Sequence, residues 1–329
     1  MQKKTNQQRL KKMNESRYIY DAHCHIEELY SVDDTPAKSH PNERIVSNIM
    51  MTNMKDYEFC SGIPHTGNTH NLAFRNFGIH PWFCHLFSVQ DTTFPIDKKT
   101  HYQAIMKWDT KNAFFQDYDM LPQPISIDQY IKEYFTDPDS WIGIGEAGLD
   151  KIAICNEPLF KKHNIRVSVK MDHQIAILKK FLDLSYTYGK PISLHCVKCP
   201  GVLHSELIQF TKQKKCANSD ISIILHSFTG SVDSMKLFLK SFPNCVVSVS
   251  KYIDIDQEKH HVMLKEVPLD RILIETDIDV VKQEHKKIQQ QHLHQVLDFL
   301  AKLHNLPKDT ILAQVNKNFE KIYKLNVPH

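Results

Sequence analysis

Eight short apolar runs, each followed by enough chain for a helix, constrain this sequence more than any other feature. They fall at 18–22, 45–50, 73–79, 141–145, 191–194, 221–225, 245–249 and 271–274. Most are nearly continuous and rich in Ile or Val, as expected of parallel strands covered on both faces. Between them, 172–186 places Ile175, Leu178, Phe181, Leu182 and Ser185 near helical spacing, and 231–239 and 292–303 follow the same rule. Gly189 and Pro191 mark the end of one helix and the start of the next strand. Eight strands in this alternation predict an α/β protein with a closed (β/α)8 barrel of the TIM type. At 329 residues the chain is long enough for one such barrel, which we place at 18–329 behind a leader at 1–17. No run approaches 18 apolar residues, so no membrane span is expected.

Two connections exceed what a barrel needs. One, at about 88–140, carries Tyr102, Trp108, Phe114, Phe115 and Tyr118 among polar residues; it reads as a packed surface insertion, with a substrate lid as the other reading. The second runs from 149 to 169. The leader holds Lys3, Lys4, Arg9, Lys11, Lys12 and Arg17 against Glu15 alone, a formal +5 against +3 for the whole chain, so the body is slightly acidic. A broad cationic face for long duplex DNA is therefore not expected. The leader lacks the apolar segment of an export signal and reads as a flexible tail. With eight scattered cysteines, that points to free buried thiols in the cytoplasm or nucleus. Cys196 and Cys199 form a lone CxxC, weak as a zinc or redox motif. The Gln-, His- and Lys-rich stretch 282–294 reads as a solvated helix or loop.

The chemistry is concentrated where the runs end. The first ends Asp21-Ala-His23-Cys-His25, and residues two apart in a strand share a face. Glu146 and Asp150 follow the fourth run, His195 the fifth, His226 the sixth, and Glu275 and Asp277 the eighth. A barrel brings these ends to one face. Four imidazoles and two carboxylates there would be costly to desolvate without a cation. One bridging carboxylate lets such a set serve two ions, and imidazole with carboxylate suits Zn or Mn better than Mg. The chemistry to expect is metal-assisted hydrolysis at a phosphoryl or carbonyl centre.

At these residues the sequence resembles the TatD family of metal-dependent hydrolases and deoxyribonucleases. The matching segments are Asp21-Ala-His-Cys-His25, Gly78-Ile-His-Pro81, Gly145-Glu-Ala-Gly-Leu-Asp150, Leu194-His195, His226-Ser-Phe-Thr-Gly230 and Glu275-Thr-Asp277, in family order. The tail from Val315 resembles the family's final helix. The segment from Asp172, with His195-Cys-Val-Lys198, is most similar to fungal members named as interactors of an anaphase-promoting-complex subunit.

The resemblance implies two divalent ions, Mg, Mn or Zn, and cleavage of phosphodiester bonds in DNA by metal-activated water. Carried over by motif, His23, His25 and Asp277 hold one ion, His195 and His226 the other, and Glu146 bridges both. Asp277 also orients or deprotonates the attacking water, so Asp277 and Glu146 are the catalytic candidates. His80 is a candidate phosphate donor, or a residue holding its own loop. Lys198 is a candidate phosphate contact, because Val197 stands where the family commonly has arginine. Trp82 and Phe83 are expected to pack beneath the insertion rather than stack on a base. Ile278-Asp279-Val280 replaces the family's small residue and proline, so that loop must take another shape. DNA ends or single strands fit a narrow barrel mouth best. The competing readings are hydrolysis of a small phosphoester or amide, and a partner-binding scaffold that retains a metal.

Overall fold

The computed structural model describes residues 17–26, 43–63, 73–90, 95–108, 118–280 and 283–325. The expectations for the leader and for Phe114 and Phe115 lie outside them. Eight parallel strands form one sheet in sequence order. They are β1 (Arg17–Cys24), β2 (Glu43–Met50), β3 (Ala73–Phe77) and β4 (Gly143–Asp150). The rest are β5 (Ile192–Val197), β6 (Ile223–His226), β7 (Cys245–Val249) and β8 (Ile272–Ile274). Every expected run became a strand, and the barrel reading holds.

Among the described residues, the backbone hydrogen bonds that join the first and last strands lie at the C-terminal rim. There His25 bridges Asp279, the His25 amide donates to Ile278 at 2.9 Å and the Asp277 amide to His23 at 2.9 Å. Closure is thus made by backbone that also carries candidate site residues.

Two apolar layers result. Ile19, Ile49, Ile223, Val247 and Ile274 face the helices, which include α1 (Met171–Tyr188) and α2 (Gln283–His304). A separate cluster of Tyr20, Val46, Ile224, Val246 and Leu273 packs with Phe319, Ile322 and Tyr323. The last three lie in or just after α3 (Lys308–Ile322), which lies across the N-terminal end of the barrel. Tyr20 stacks on Phe319 with centroids 4.4 Å apart, and the Asn48 amide donates to the Tyr323 hydroxyl at 2.7 Å. The tail is the helix the family resemblance implied, and it forms the barrel's floor.

The described part of the insertion is packed. Phe87–Ser88 pairs with Ile125–Ser126, and Met106–Trp108 runs antiparallel to Val167–Val169, tying the two long connections together. Tyr102, Ile105, Ile127 and Tyr130 are buried in the core. All eight cysteines are free and seven are buried. The stretch 282–294 departs from expectation. It is helical from Gln283, but its Gln289 and Gln290 are buried. Gln289 donates to Asp21 at 2.8 Å, and His294 meets Glu43 at 2.6 Å. Buried acids on β1 and β2 need polar partners, and the helix supplies them.

Candidate metal centre

The six candidate ligands converge at the C-terminal mouth. A register shift between Asp21 and Cys24 brings His23 and His25 there. Asp21 itself turns to Thr276 and Gln289, and Cys24 sits in the outer apolar layer. Strict alternation would have placed His23 on the face of Asp21, so the bulge re-aims the strand. A second register shift between Ile144 and Ala147 accompanies the extension of β4 through Glu146 to Asp150. Gly148 makes that extension fit, since a Cβ there would lie 2.1 Å from the carbonyl oxygen of His195. Only glycine lets β4 approach β5 this closely.

Glu146 is the hub. Its Oε1 lies 2.8 Å from His195 Nδ1, 2.7 Å from His226 Nε2 and 3.3 Å from His80 Nε2. Its Oε2 lies 3.3 Å from His23 Nε2 and 3.5 Å from His25 Nε2. One carboxylate therefore addresses two groups of imidazoles. Asp277 Oδ1 is 3.2 Å from His25 Nε2 and 3.9 Å from His23 Nε2. The Asp277 side chain is 27% exposed where that of Glu146 is 2%, so it is the carboxylate a substrate and water can reach.

Among the described residues, three sets gather possible ligand atoms within 4.8 Å of one another: His23, His25 and Glu146; His23, His226 and Asp277; and His80, Glu146 and His195, where His80 accepts at Nδ1 from the Trp82 amide and so leaves the ligand role to the other two. The hydrogen-bond logic agrees. Asp150 Oδ2 can only accept, so His195 Nε2, at 3.3 Å, is the donor. That leaves His195 Nδ1 a lone pair facing Glu146 Oε1 at 2.8 Å. Two acceptors so placed require a proton or a metal cation. A carboxylate holding the far side of a ligand imidazole is the usual support of a metal site.

Electrostatics make the same demand. Burial pushes the Glu146 carboxyl up, but the imidazoles of His80, His226 and His23 outweigh it and hold the group well below the usual range. Asp277 is likewise lowered against burial, by the hydrogen bond to His25 and by His226 and His23. Burial opposes charge on His25, yet the hydrogen bond to Asp277 and the charge of Glu146 raise it to about 9. Burial likewise opposes charge on His226, but Glu146 and the link to Glu275 raise it well above normal. These carboxylates draw positive charge inward, which bound cations would supply. The donor set fits divalent metal.

The surrounding backbone is strained. Lys198, Ser227 and Asp277 have φ of 57°, 40° and 54°, and each lies at or within three residues of a candidate ligand. Non-glycine residues persist in that region when packing and hydrogen bonds hold them, most often at functional sites. Ser227 donates from its amide (2.8 Å) and hydroxyl (2.7 Å) to Glu275 Oε1.

Residues 20–324 match the family described as TatD related DNase. The chain belongs to the TatD family. It is accordingly a metal-dependent hydrolase. An uncharacterized deoxyribonuclease of Saccharomyces cerevisiae is 30% identical over 323 residues, covering 93% of this chain and 99% of its own. The Cut9-interacting protein scn1 of Schizosaccharomyces pombe is 23% identical over 351 residues, with 93% and 99% covered. Among solved structures, a hydrolase TatD family protein from Entamoeba histolytica superimposes with a TM-score of 0.59 at 13% identity, covering 94% of this chain and 98% of that one. That likeness bears on the fold.

In this TatD chain the two candidate phosphate contacts part company. His80 is buried inside the cluster, its ring 4.4 Å from that of His195. Its Nδ1 accepts from the Trp82 amide at 3.1 Å, so the proton of the neutral ring sits on Nε2 and points at the centre. Burial lowers His80 to about 4, so it is neutral. Lys198 is exposed on the rim. Trp82 departs from the packing expectation, being 44% exposed, whereas Phe83 packs on the core as expected. Ser193, whose Oγ lies 2.9 Å from His23 Nδ1, was missed. Its place two residues before His195 on one strand was the available signal. Ser227 was missed too, and only the structure shows its bonds to Glu275.

Proposed function

We infer that the protein hydrolyses phosphodiester bonds of DNA at this centre, at ends or in single strands. The observation that carries the reading is Glu146, whose two oxygens face separate imidazole groups. His23, His25 and Asp277 would hold one divalent ion, His195 and His226 the other, and Glu146 would bridge. Mg, Mn and Zn are the candidates, the nitrogen-rich set favouring Mn or Zn. Bound there, divalent ions supply Lewis acidity to the phosphoryl oxygens and lower the pKa of water. Asp277, the more accessible carboxylate, orients the attacking water and takes its proton. His80 donates from Nε2–H to a non-bridging phosphate oxygen, a bond that strengthens as charge builds there. Asp150 and Ser193 fix the imidazoles of His195 and His23.

This reading takes 18–329 as one barrel domain behind a basic leader, in the cytoplasm or nucleus, where free thiols persist. The similarity to a protein named for interacting with Cut9 supports a second reading, in which the chain also binds a protein partner.

The test is a time course on 5′-labelled single-stranded DNA with Mn²⁺ or Mg²⁺, comparing native protein with Asp277→Asn. A metal-dependent ladder, reduced by about 10²–10⁴-fold in the variant, is expected of a lost general base. No products, or equal products from both proteins, would overturn the nuclease reading and leave a small phosphoester, an amide or a scaffold role.

A further inference from the structure

The rim between β3 and β5 exposes apolar surface beside a charged centre. Trp82, 44% exposed, stands in the turn Pro81–Leu86 after β3. Its indole N–H donates to Asp150 Oδ2 at 3.2 Å, the same oxygen that receives His195 Nε2. The indole lies edge-on to His80, 4.8 Å between centroids. The loop after β4 comes up alongside, with the Asn156 amide donating to the Trp82 carbonyl at 3.0 Å. That loop presents Ile152, 62% exposed. Lys151 and Lys198 are exposed on the same side, and the Lys151 amide donates to Val197 at 3.0 Å, which ties their backbones together. Neither lysine makes an ion pair with a described residue.

A large aromatic face, an aliphatic neighbour and two free cations are what a single nucleic-acid strand requires. Bases stack on aromatic rings while cations follow the phosphates. A base inside a duplex already has both faces covered. We propose that Trp82 and Ile152 form a shelf that stacks the unpaired nucleobase next to the scissile phosphate, with Lys151 and Lys198 on the adjoining phosphates. This rests on the phosphodiester reading and deepens it by naming the residues that recognise an unpaired base at an end or in a single strand. The bond from the indole N–H to Asp150 holds the ring edge-on to the centre, leaving its face to the base.

The test moves one abasic residue stepwise along a short oligothymidylate and measures cleavage by native protein, Trp82→Ala and Trp82→Phe. For native protein, an abasic residue at one position beside the cleaved bond should raise KM about 5- to 160-fold, the range of base–aromatic stacking. Trp82→Ala should raise KM comparably on the intact strand and no longer sense the abasic residue. Trp82→Phe should keep most of the discrimination. In parallel, the intact strand added with Ca²⁺ should quench indole fluorescence in native protein and not in Trp82→Phe, since of the other two tryptophans Trp141 is buried and Trp108 packs against the core. Cleavage indifferent to every abasic position overturns the shelf and leaves the nuclease reading standing. Trp82→Phe failing as badly as Trp82→Ala, with abasic sensitivity intact, would make Trp82 a positioning residue for Asp150 and also overturn it. Quenching and abasic-sensitive binding without cleavage would keep the shelf and overturn the nuclease reading. A strand that neither binds nor is cut sinks both.

Discussion

The two ends of this barrel are built from the same eight strands and share almost no chemistry. At the floor, Tyr20, Val46, Ile224 and Leu273 meet Phe319 and Tyr323 in an apolar cluster. At the mouth, a few residues further along those strands, His23, Glu146, His226 and Asp277 crowd together on backbone that includes positive-φ residues. Chain direction makes the division possible, since every parallel strand delivers its last residues to the same face. The floor holds the strands in place, and the mouth can then carry charge and strain that would not be stable alone.

The comparison breaks if mutations at the mouth behave like mutations at the floor. Glu146→Gln should have the largest effect on activity: hydrolysis falling about 10²–10⁴-fold, and less divalent metal retained by plasma mass spectrometry, with cooperative unfolding preserved. Phe319→Ala should do the reverse. Truncating a buried aromatic costs about 3–5 kcal/mol, read as a lower urea midpoint, while the folded fraction keeps its kcat.

A pH titration sharpens the contrast. Burial pushes Asp254, enclosed behind the mouth, up to about 8. Between its unfolded value near 4 and that value, the native state binds the extra proton. Stability of chelator-treated protein should therefore fall as pH rises, by about 1–3 kcal/mol between about pH 6 and 8. Asp254→Asn should shrink the fall in that window and leave the part due to Asp21, which burial raises to about 7. The smallest effect is expected of Tyr323→Phe at the floor. Loss of the acceptor for the Asn48 amide should cost about 0.5–1.5 kcal/mol, measured by thermal unfolding without change in rate.

What could be read in the sequence follows from the same division. The eight strands were legible because helices cover a parallel sheet and leave continuous apolar runs, as at 245–249, whose bounds the structure reproduces. The end of β4 was not, because Gly145-Glu-Ala-Gly-Leu-Asp150 contains little that marks a strand. Only its approach to β5 makes it one. His23 and His25 were identified together, but the alternation used to pair them is interrupted by a bulge. Gln289 and His294 looked solvated because their partners, Asp21 and Glu43, lie 268 and 251 residues away. Trp82 was expected beneath the insertion, yet the described insertion strands pair elsewhere and leave the indole on the rim. Local patterns report which residues are apolar, whereas distant partners decide which polar ones become buried.

The seam where β1 meets β8 has a consequence for how the protein comes into being. His25 and Asp277 stand 252 residues apart along the chain and 3.2 Å apart in space. A polypeptide emerging from the ribosome at about 5–20 residues per second exposes its first histidines long before their carboxylate partner exists. Hydrolytic competence therefore waits for the end of β8: a nascent or prematurely ended product would carry His23, His25 and Glu146 without Asp277, and so without the carboxylate that serves the attacking water.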